Sequence, residues 1–281
     1  REGALLVPEE LAFDQGLGDG GAVDGDEGPL RAPARAVQGA RHQLLAGARL
    51  AEHQHRGIGR GDLLDVVAVH RYPMYSPNNP VTVQALRENT QKWTGEVEYL
   101  RGLIKETTGR DLPIAITEVN SDPSSAMMQE VSPDSFYNAI WYADVLGQMM
   151  NADVFMINQW VLSQRTTGLG LLQGSTVRPT FYVFPLYKNF GSQQVYAASG
   201  VTDVDIFAAK REDGTLTLMV INLSDEEKRI PLQVKGEKLA EAEVWRLDVT
   251  HNAENLGTQT FSTDGIVTLP PQSATLYVID K

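Results

Sequence analysis

The chain has 281 residues and no cysteine, so disulfides and thiolate metal centres are excluded. Its 24 basic and 36 acidic side chains leave a net charge of −12, without the basic footprint of a nucleic-acid binder. Its apolar fraction of 42% can fill the core of one large domain or two moderate ones, and no run approaches the ~18 apolar residues of a membrane span.

Residues 1–64 stand apart in composition. They hold no Ser, Thr, Asn, Lys, Tyr, Trp or Met, and Phe13 is their only aromatic. Such omissions over this length depart from ordinary domains. Two readings stand side by side: a low-complexity arm, or a segment translated out of frame upstream of residue 65. No strand pattern is visible here, and 37–52 carries only a weak helical stripe. His42, His53 and His55 read as solvated loop histidines, because no carboxylate spacing completes a metal-ligand set.

From residue 65 the patterning is conventional. The run 65–70 (DVVAVH) is β-branched and apolar, which predicts a buried strand that Pro73 terminates. Residues 81–108 predict one long helix, with Val83, Leu86, Thr90, Trp93, Val97, Leu100 and Ile104 forming its apolar stripe and Gly109 its C-cap. Trp93 is therefore a core residue, and Trp141 and Trp245 are read the same way.

The segment 112–121 (LPIAITEVNS) organises what surrounds it. Ile114, Ala115 and Ile116 form a short apolar run suited to a parallel strand buried on both faces. The run opens onto Glu118, whose charge is costly to bury without partners. Ser132 with Pro133 predicts the start of the next helix, which runs to about residue 150 and buries Phe136, Ile140 and Leu146. Residues 154–162 (VFMINQWVL) predict a third buried strand ending at Trp160. A glycine-rich loop follows, then a helix over 179–191 that Pro185 kinks or breaks.

Beyond residue 191 the apolar period becomes two. Short strands near 204–208, 215–222, 229–234, 242–247 and 275–279, with a hairpin turn at Glu212, Asp213 and Gly214, predict an antiparallel β-sandwich of about ninety residues. Residues 65–191 alternate strand and helix at intervals of roughly forty residues, three βα units against the eight of a barrel of about 250 residues. The predicted fold class is thus α/β: a partial (β/α)8 barrel, its last three βα units, followed by the sandwich. The expected divisions are 1–64, 65–191 and 192–281.

These residues carry a family resemblance. Thr117 and Glu118 match the strand end that bears the nucleophile of retaining (β/α)8 glycoside hydrolases, the clan of endoglucanases, β-xylosidases and α-L-arabinofuranosidases. His70, Arg71 and Tyr72 resemble the His-x-Tyr that ends the preceding strand, and Trp160 resembles the tryptophan beneath the bound sugar. The segments RPTFYVFPLYKNFG and LPPQSATLYVID resemble the sandwich fused to arabinofuranosidase- and xylosidase-type members. The resemblance implies a carbohydrate substrate, no cofactor or metal, no nucleic-acid or membrane partner, and a secreted or periplasmic setting.

Retaining hydrolysis uses a nucleophile and an acid/base carboxyl about 5–5.5 Å apart. Glu118 is the candidate nucleophile, with His70 and Tyr72 as donors that keep it ionised. Asn120 is a candidate to bind a sugar hydroxyl or to orient its loop, and Trp160 to offer a ring face. Each has a plainer alternative: a salt-bridged Glu118, strand-end packing for His70 and Tyr72, a core Trp160. In the family the acid/base Glu follows an Asn on the fourth strand. The first Asn here is Asn78, and Glu9, Glu10 and Glu52 end no apolar run. The acid/base residue is therefore expected to be missing, which keeps open a non-catalytic carbohydrate-binding or structural remnant.

Overall fold

The computed structural model describes residues 3–6, 64–74, 81–124, 126–235 and 239–279. His42, His53, His55, Glu9, Glu10 and Glu52 lie outside the described residues. The architecture is mixed α/β, with several sheets and few helices. It forms two compact units.

The first unit draws on β1 and β2 with Gly95–Val119 and Val154–Asn158. Its four-stranded sheet runs β1 (Gly3–Leu6), β2 (Leu64–Arg71), β3 (Ile114–Val119) and β4 (Met156–Gln159) in spatial order. β1 pairs parallel with β2, and β2 with β3. The strand at Gly3–Leu6 corrects the expectation that residues 1–64 hold none. The tetrapeptide GALL is too short for its periodicity to be read, and its pairing supplies what its sequence does not. In β2, Val67, Ala68 and Val69 are buried; in β3, Ile114, Ala115 and Ile116 are, as the continuous apolar runs require.

β4 departs from the expected buried strand. It is shorter, it ends the sheet, and Phe155 and Met156 are 65% and 39% exposed. Among the described residues it has a strand neighbour on one side only.

The expected long helix is two helices, α1 (Val83–Thr90) and α2 (Trp93–Thr108). Thr82 caps α1, its hydroxyl oxygen accepting from the Ala85 N–H at 3.1 Å. The interruption has a local cause. Lys92 N–H donates to the Asn89 carbonyl, a tightened i−3 bond, and the Thr90 hydroxyl donates to the Arg87 carbonyl. Val97 and Ile104 are buried as predicted, and Gly109 takes the left-handed conformation (φ +72°) while donating to the Lys105 carbonyl.

The second unit comprises Tyr72–Thr94, Asn120–Asp153 and Gln159–Lys281, as far as described. Its central helix, α3 (Phe136–Asn151), begins one turn later than expected. Ser135 is the N-cap, accepting from the Asn138 N–H. Ser132 is engaged instead in the preceding loop, where it accepts from the Gln129 N–H and donates to Asp134. α3 is buried on nearly every face, which a single stripe would not give. Trp141 is fully buried and meets Trp93 edge-on at 6.1 Å. The kinked element resolves into a 3-10 turn at Pro179–Tyr182 and α4 (Val183–Asn189), with Pro185 in the first turn of α4, where its missing N–H is harmless.

A small hairpin, β5 (Leu172–Gln173) and β6 (Thr176–Val177), precedes the antiparallel strands. These are β7 (Gln193–Val195), β8 (Val204–Lys210), β9 (Leu216–Asn222), β10 (Lys228–Pro231), β11 (Glu241–Leu247), β12 (Asn252–Thr260), β13 (Ile266–Leu269) and β14 (Ser273–Ile279). Six form one sheet, ordered β12-β11-β14-β9-β8-β7, and β10 pairs with β13. One face of the large sheet (Val204, Leu218, Val220, Val244, Tyr277) shares a core with Ile230, Val267 and Leu269 of the small ladder. The opposite face supports α3: Tyr137 donates to the Leu223 carbonyl, and Gly147 lies against the Phe207 ring. Trp245 is half-buried rather than core, because it alternates with the inward Val244.

Candidate functional site

In the first unit β2 and β3 run parallel, and their register sets His70 beside Glu118. A register shift between Val69 and His70 makes this match at the strand ends. The imidazole Nδ1 lies 3.3 Å from Glu118 Oε2, and the two side chains are 23% and 17% exposed. This carboxylate sits at the C-terminal end of a parallel strand, shielded but reachable, beside a group that can donate to it.

The next pair behind it is fully structural. Arg71 Nη2 donates to Glu96 Oε1 at 2.5 Å, with both side chains nearly buried. Burial draws the guanidinium below its usual range, and the Glu96 charge and hydrogen bond oppose that. Because side chains alternate along a strand, Arg71 leaves β2 on the face opposite His70 and ties it to α2.

In the second unit Asn120, a candidate to bind a sugar hydroxyl or to orient its loop, is fully buried. Its Nδ2 donates to the Trp160 carbonyl at 2.8 Å and to the Leu169 carbonyl at 3.2 Å, and its Oδ1 accepts from the Ser121 N–H at 2.9 Å. Both amide donors are thus engaged with backbone, and the loop-orienting alternative is the one that fits. A chain continues inward: the Ser121 hydroxyl donates to Asn138 Oδ1, and Asn138 Nδ2 donates to the Thr180 hydroxyl.

Trp160 is 41% exposed, so it is not core. Its peptide bond to Val161 is cis. The strap beyond it closes on itself through Val161 N–H to the Leu169 carbonyl and Leu171 N–H to the Val161 carbonyl. Glycine is required in the strap: a Cβ on Gly168 would lie 2.3 Å from the Ala126 carbonyl oxygen, and one on Gly170 2.4 Å from the Gln164 nitrogen. Tyr72 is half-buried, just past β2, in a segment tied by Met74 N–H to the Ser121 carbonyl.

Sequence reasoning missed one group of polar residues. Asp144 on α3 is fully buried, and its carboxyl faces Asp205 of β8. Burial holds Asp144 well above the ordinary carboxylate range, and the Asp205 charge adds to this. Gln91 Nε2 donates to Asp205 Oδ2 at 2.6 Å, so Asp205 is the better-solvated partner. An aspartate inside an amphipathic pattern reads as an exposed position, and only the all-round burial of α3 reveals otherwise. No group of His, Asp and Glu among the described residues is arranged to hold a metal ion.

Comparisons with known proteins bear on the fold. The C-terminal immunoglobulin-like domain of D-apionate lactonase matches residues 202–273. No curated protein sequence matches the chain. Among solved structures, the family 44 endoglucanase of Clostridium thermocellum has a TM-score of 0.58 at 18% identity, covering 78% of this chain and 47% of that one. The α-L-arabinofuranosidase of Thermotoga maritima, in its arabinose complex, has a TM-score of 0.58 at 19% identity, with coverages of 79% and 54%. A family 30 endoxylanase of Clostridium papyrosolvens has 0.52 at 15%, with 79% and 50%. The chain spans about half the length of these structures. The fold is that of glycoside hydrolases, at identities that speak to fold alone.

Proposed function

We propose that the chain is part of a retaining glycosidase acting on O-glycosidic bonds of poly- or oligosaccharides, its first unit belonging to a (β/α)8 barrel and its C-terminal strands to a β-sandwich. The observation that carries this is the 3.3 Å approach of His70 Nδ1 to Glu118 Oε2 at the ends of two parallel strands. Glu118 is the nucleophile. His70 keeps it ionised and oriented, and Tyr72 and Trp160 are proposed as residues that contact the sugar. Attack by Glu118 on the anomeric carbon forms the glycosyl ester as the leaving oxygen departs with the bonding pair. The acid/base carboxyl is unassigned, so the leaving oxygen suited to the test is one that needs no proton.

The test follows from that requirement. A 2-fluoro xyloside or arabinofuranoside with a dinitrophenolate leaving group should label the protein stoichiometrically in an intact mass measurement. Glu118→Gln should abolish the label; labelling that survives would remove Glu118 from this role.

A second reading is favoured by the match of residues 202–273 to a lactonase domain. Hydrolysis of a sugar lactone needs one carboxylate or imidazole to take a proton from water, while the ring oxygen leaves as an alkoxide and is protonated in turn. Glu118 and His70 would suffice for that. Ring opening of a sugar lactone followed by proton NMR, with no labelling by the fluoro sugars, would favour this chemistry.

A further inference from the structure

We infer that Asn120 is the positioning residue of Trp160, acting through the backbone at both ends of the strap 160–169. Its functional consequence rests on the glycosidase reading above; its structural part does not.

The geometry is specific. A primary amide has two donors, and both are aimed at carbonyls nine residues apart in sequence, those of Trp160 and Leu169. The same two residues bracket the strap, whose base is closed by the Val161-to-Leu169 hydrogen bond. The amide oxygen is fixed by the Ser121 backbone N–H, so the carboxamide cannot flip without losing all three bonds. The surroundings are closed: Asn120, Ser121 and Asn138 are fully buried. No water can replace the amide without a change in packing. Trp160 itself is 41% exposed. The backbone from which the indole projects is held by Asn120. A ring held in this way is preorganised for a flat apolar ligand face at little entropic cost on binding.

Intrinsic fluorescence isolates the effect, because Trp93 and Trp141 are buried and Trp245 is half-buried, whereas Trp160 is exposed. Trp160→Phe identifies its share of acrylamide-quenchable emission. Asn120→Asp, which keeps size but loses both donors, and Asn120→Ser are then compared with the parent chain. Each variant that folds by circular dichroism should show a rise of about twofold in the quenching of the Trp160 component, as its backbone is released. Ser121→Ala, which leaves the backbone N–H in place, should show no change. For the functional arm the probes are L-arabinose and xylotriose, titrated by Trp160 emission. Affinity should fall on the order of tenfold in the Asn120 variants, since small misplacements of a positioning group are costly.

Unchanged Trp160 quenching in a folded Asn120 variant overturns the inference, and so does failure of both variants to fold, which would make Asn120 a determinant of folding instead. Absence of sugar binding by the parent chain, with the quenching changes intact, counts against the glycosidase reading and leaves the positioning role standing.

Discussion

Asn89 accepts the indole N–H of Trp141 at 3.1 Å with the same side-chain oxygen that takes the Trp93 N–H at 2.7 Å. One acceptor therefore satisfies two fully buried donors on different helices, α3 and α2. Asn89→Leu should remove the shared acceptor of both indole N–H groups and destabilise the chain by about 2–6 kcal/mol, at roughly 1–3 kcal/mol per donor. Urea unfolding measures this. A loss below about 1 kcal/mol would show that the indoles find other acceptors.

Gly147→Ala should lower stability even though alanine is the better helix former. A Cβ there would stand 2.2 Å from the Phe207 ring, which is buried on the face of β8 that meets α3. Overpacking of about 1–3 kcal/mol exceeds the gain of about 1 kcal/mol in helix propensity. Phe207→Leu should restore part of the loss in the double variant. Equal losses in the single and double variants would show that the ring is not what limits the space.

Asp144 predicts a pH dependence. Its folded carboxyl is raised by burial and by Asp205, while in the unfolded chain it titrates near the ordinary ~3.9. Thr90 and Gln148, outside good hydrogen-bond geometry, offset only part of this. Between those two values the folded state binds the proton and the unfolded state does not. This contribution to stability is therefore complete below pH ~4 and is lost as pH rises toward the folded value. Asp144→Asn should flatten that slope and raise stability at neutral pH, with little change near pH 4. Chemical denaturation across pH 4–8 checks it; a variant less stable at neutral pH with the slope intact would contradict the assignment.

Arg71 and Glu96 form a buried pair whose members should not be separated. Glu96→Leu removes the carboxylate that the buried guanidinium bonds at 2.5 Å and should cost about 3–5 kcal/mol. Arg71→Met with Glu96→Leu should cost much less, since two apolar side chains fill the same space without stranded charge. Thermal unfolding of the single and double variants reads the difference, and additive losses would refute a direct coupling.

The legible parts of the chain were those in which burial writes itself as a run or a period. Ile114 to Ile116, the stripe through Val97 and Ile104, and the apolar stretches of β8, β9 and β14 all carried that signal, as did the Gly214 turn. β12 was invisible because it is polar and largely exposed, with left-handed backbone at Ala253 and Gly257 interrupting its alternation. The one-turn shift at the start of α3 turned on whether Ser132 or Ser135 bonds the first helical amides, a choice set by Asp134 and not by composition. In the site, residue type pointed to Glu118 and His70 because charge at a strand end is informative. It could not tell that Asn120 faces inward, since an asparagine suits a ligand or a carbonyl equally.

The outward face of β4 bears on how the protein behaves in a tube. Among the described residues β4 is an end strand, and exposed Met156 on it and Phe155 just before it invite association between copies. Preparations should thus become polydisperse as they are concentrated, and more so in high sulfate, which strengthens apolar contacts. A single lysine in place of Phe155 would act as a gatekeeper and extend the usable concentration range without touching either strand end that bears the candidate site.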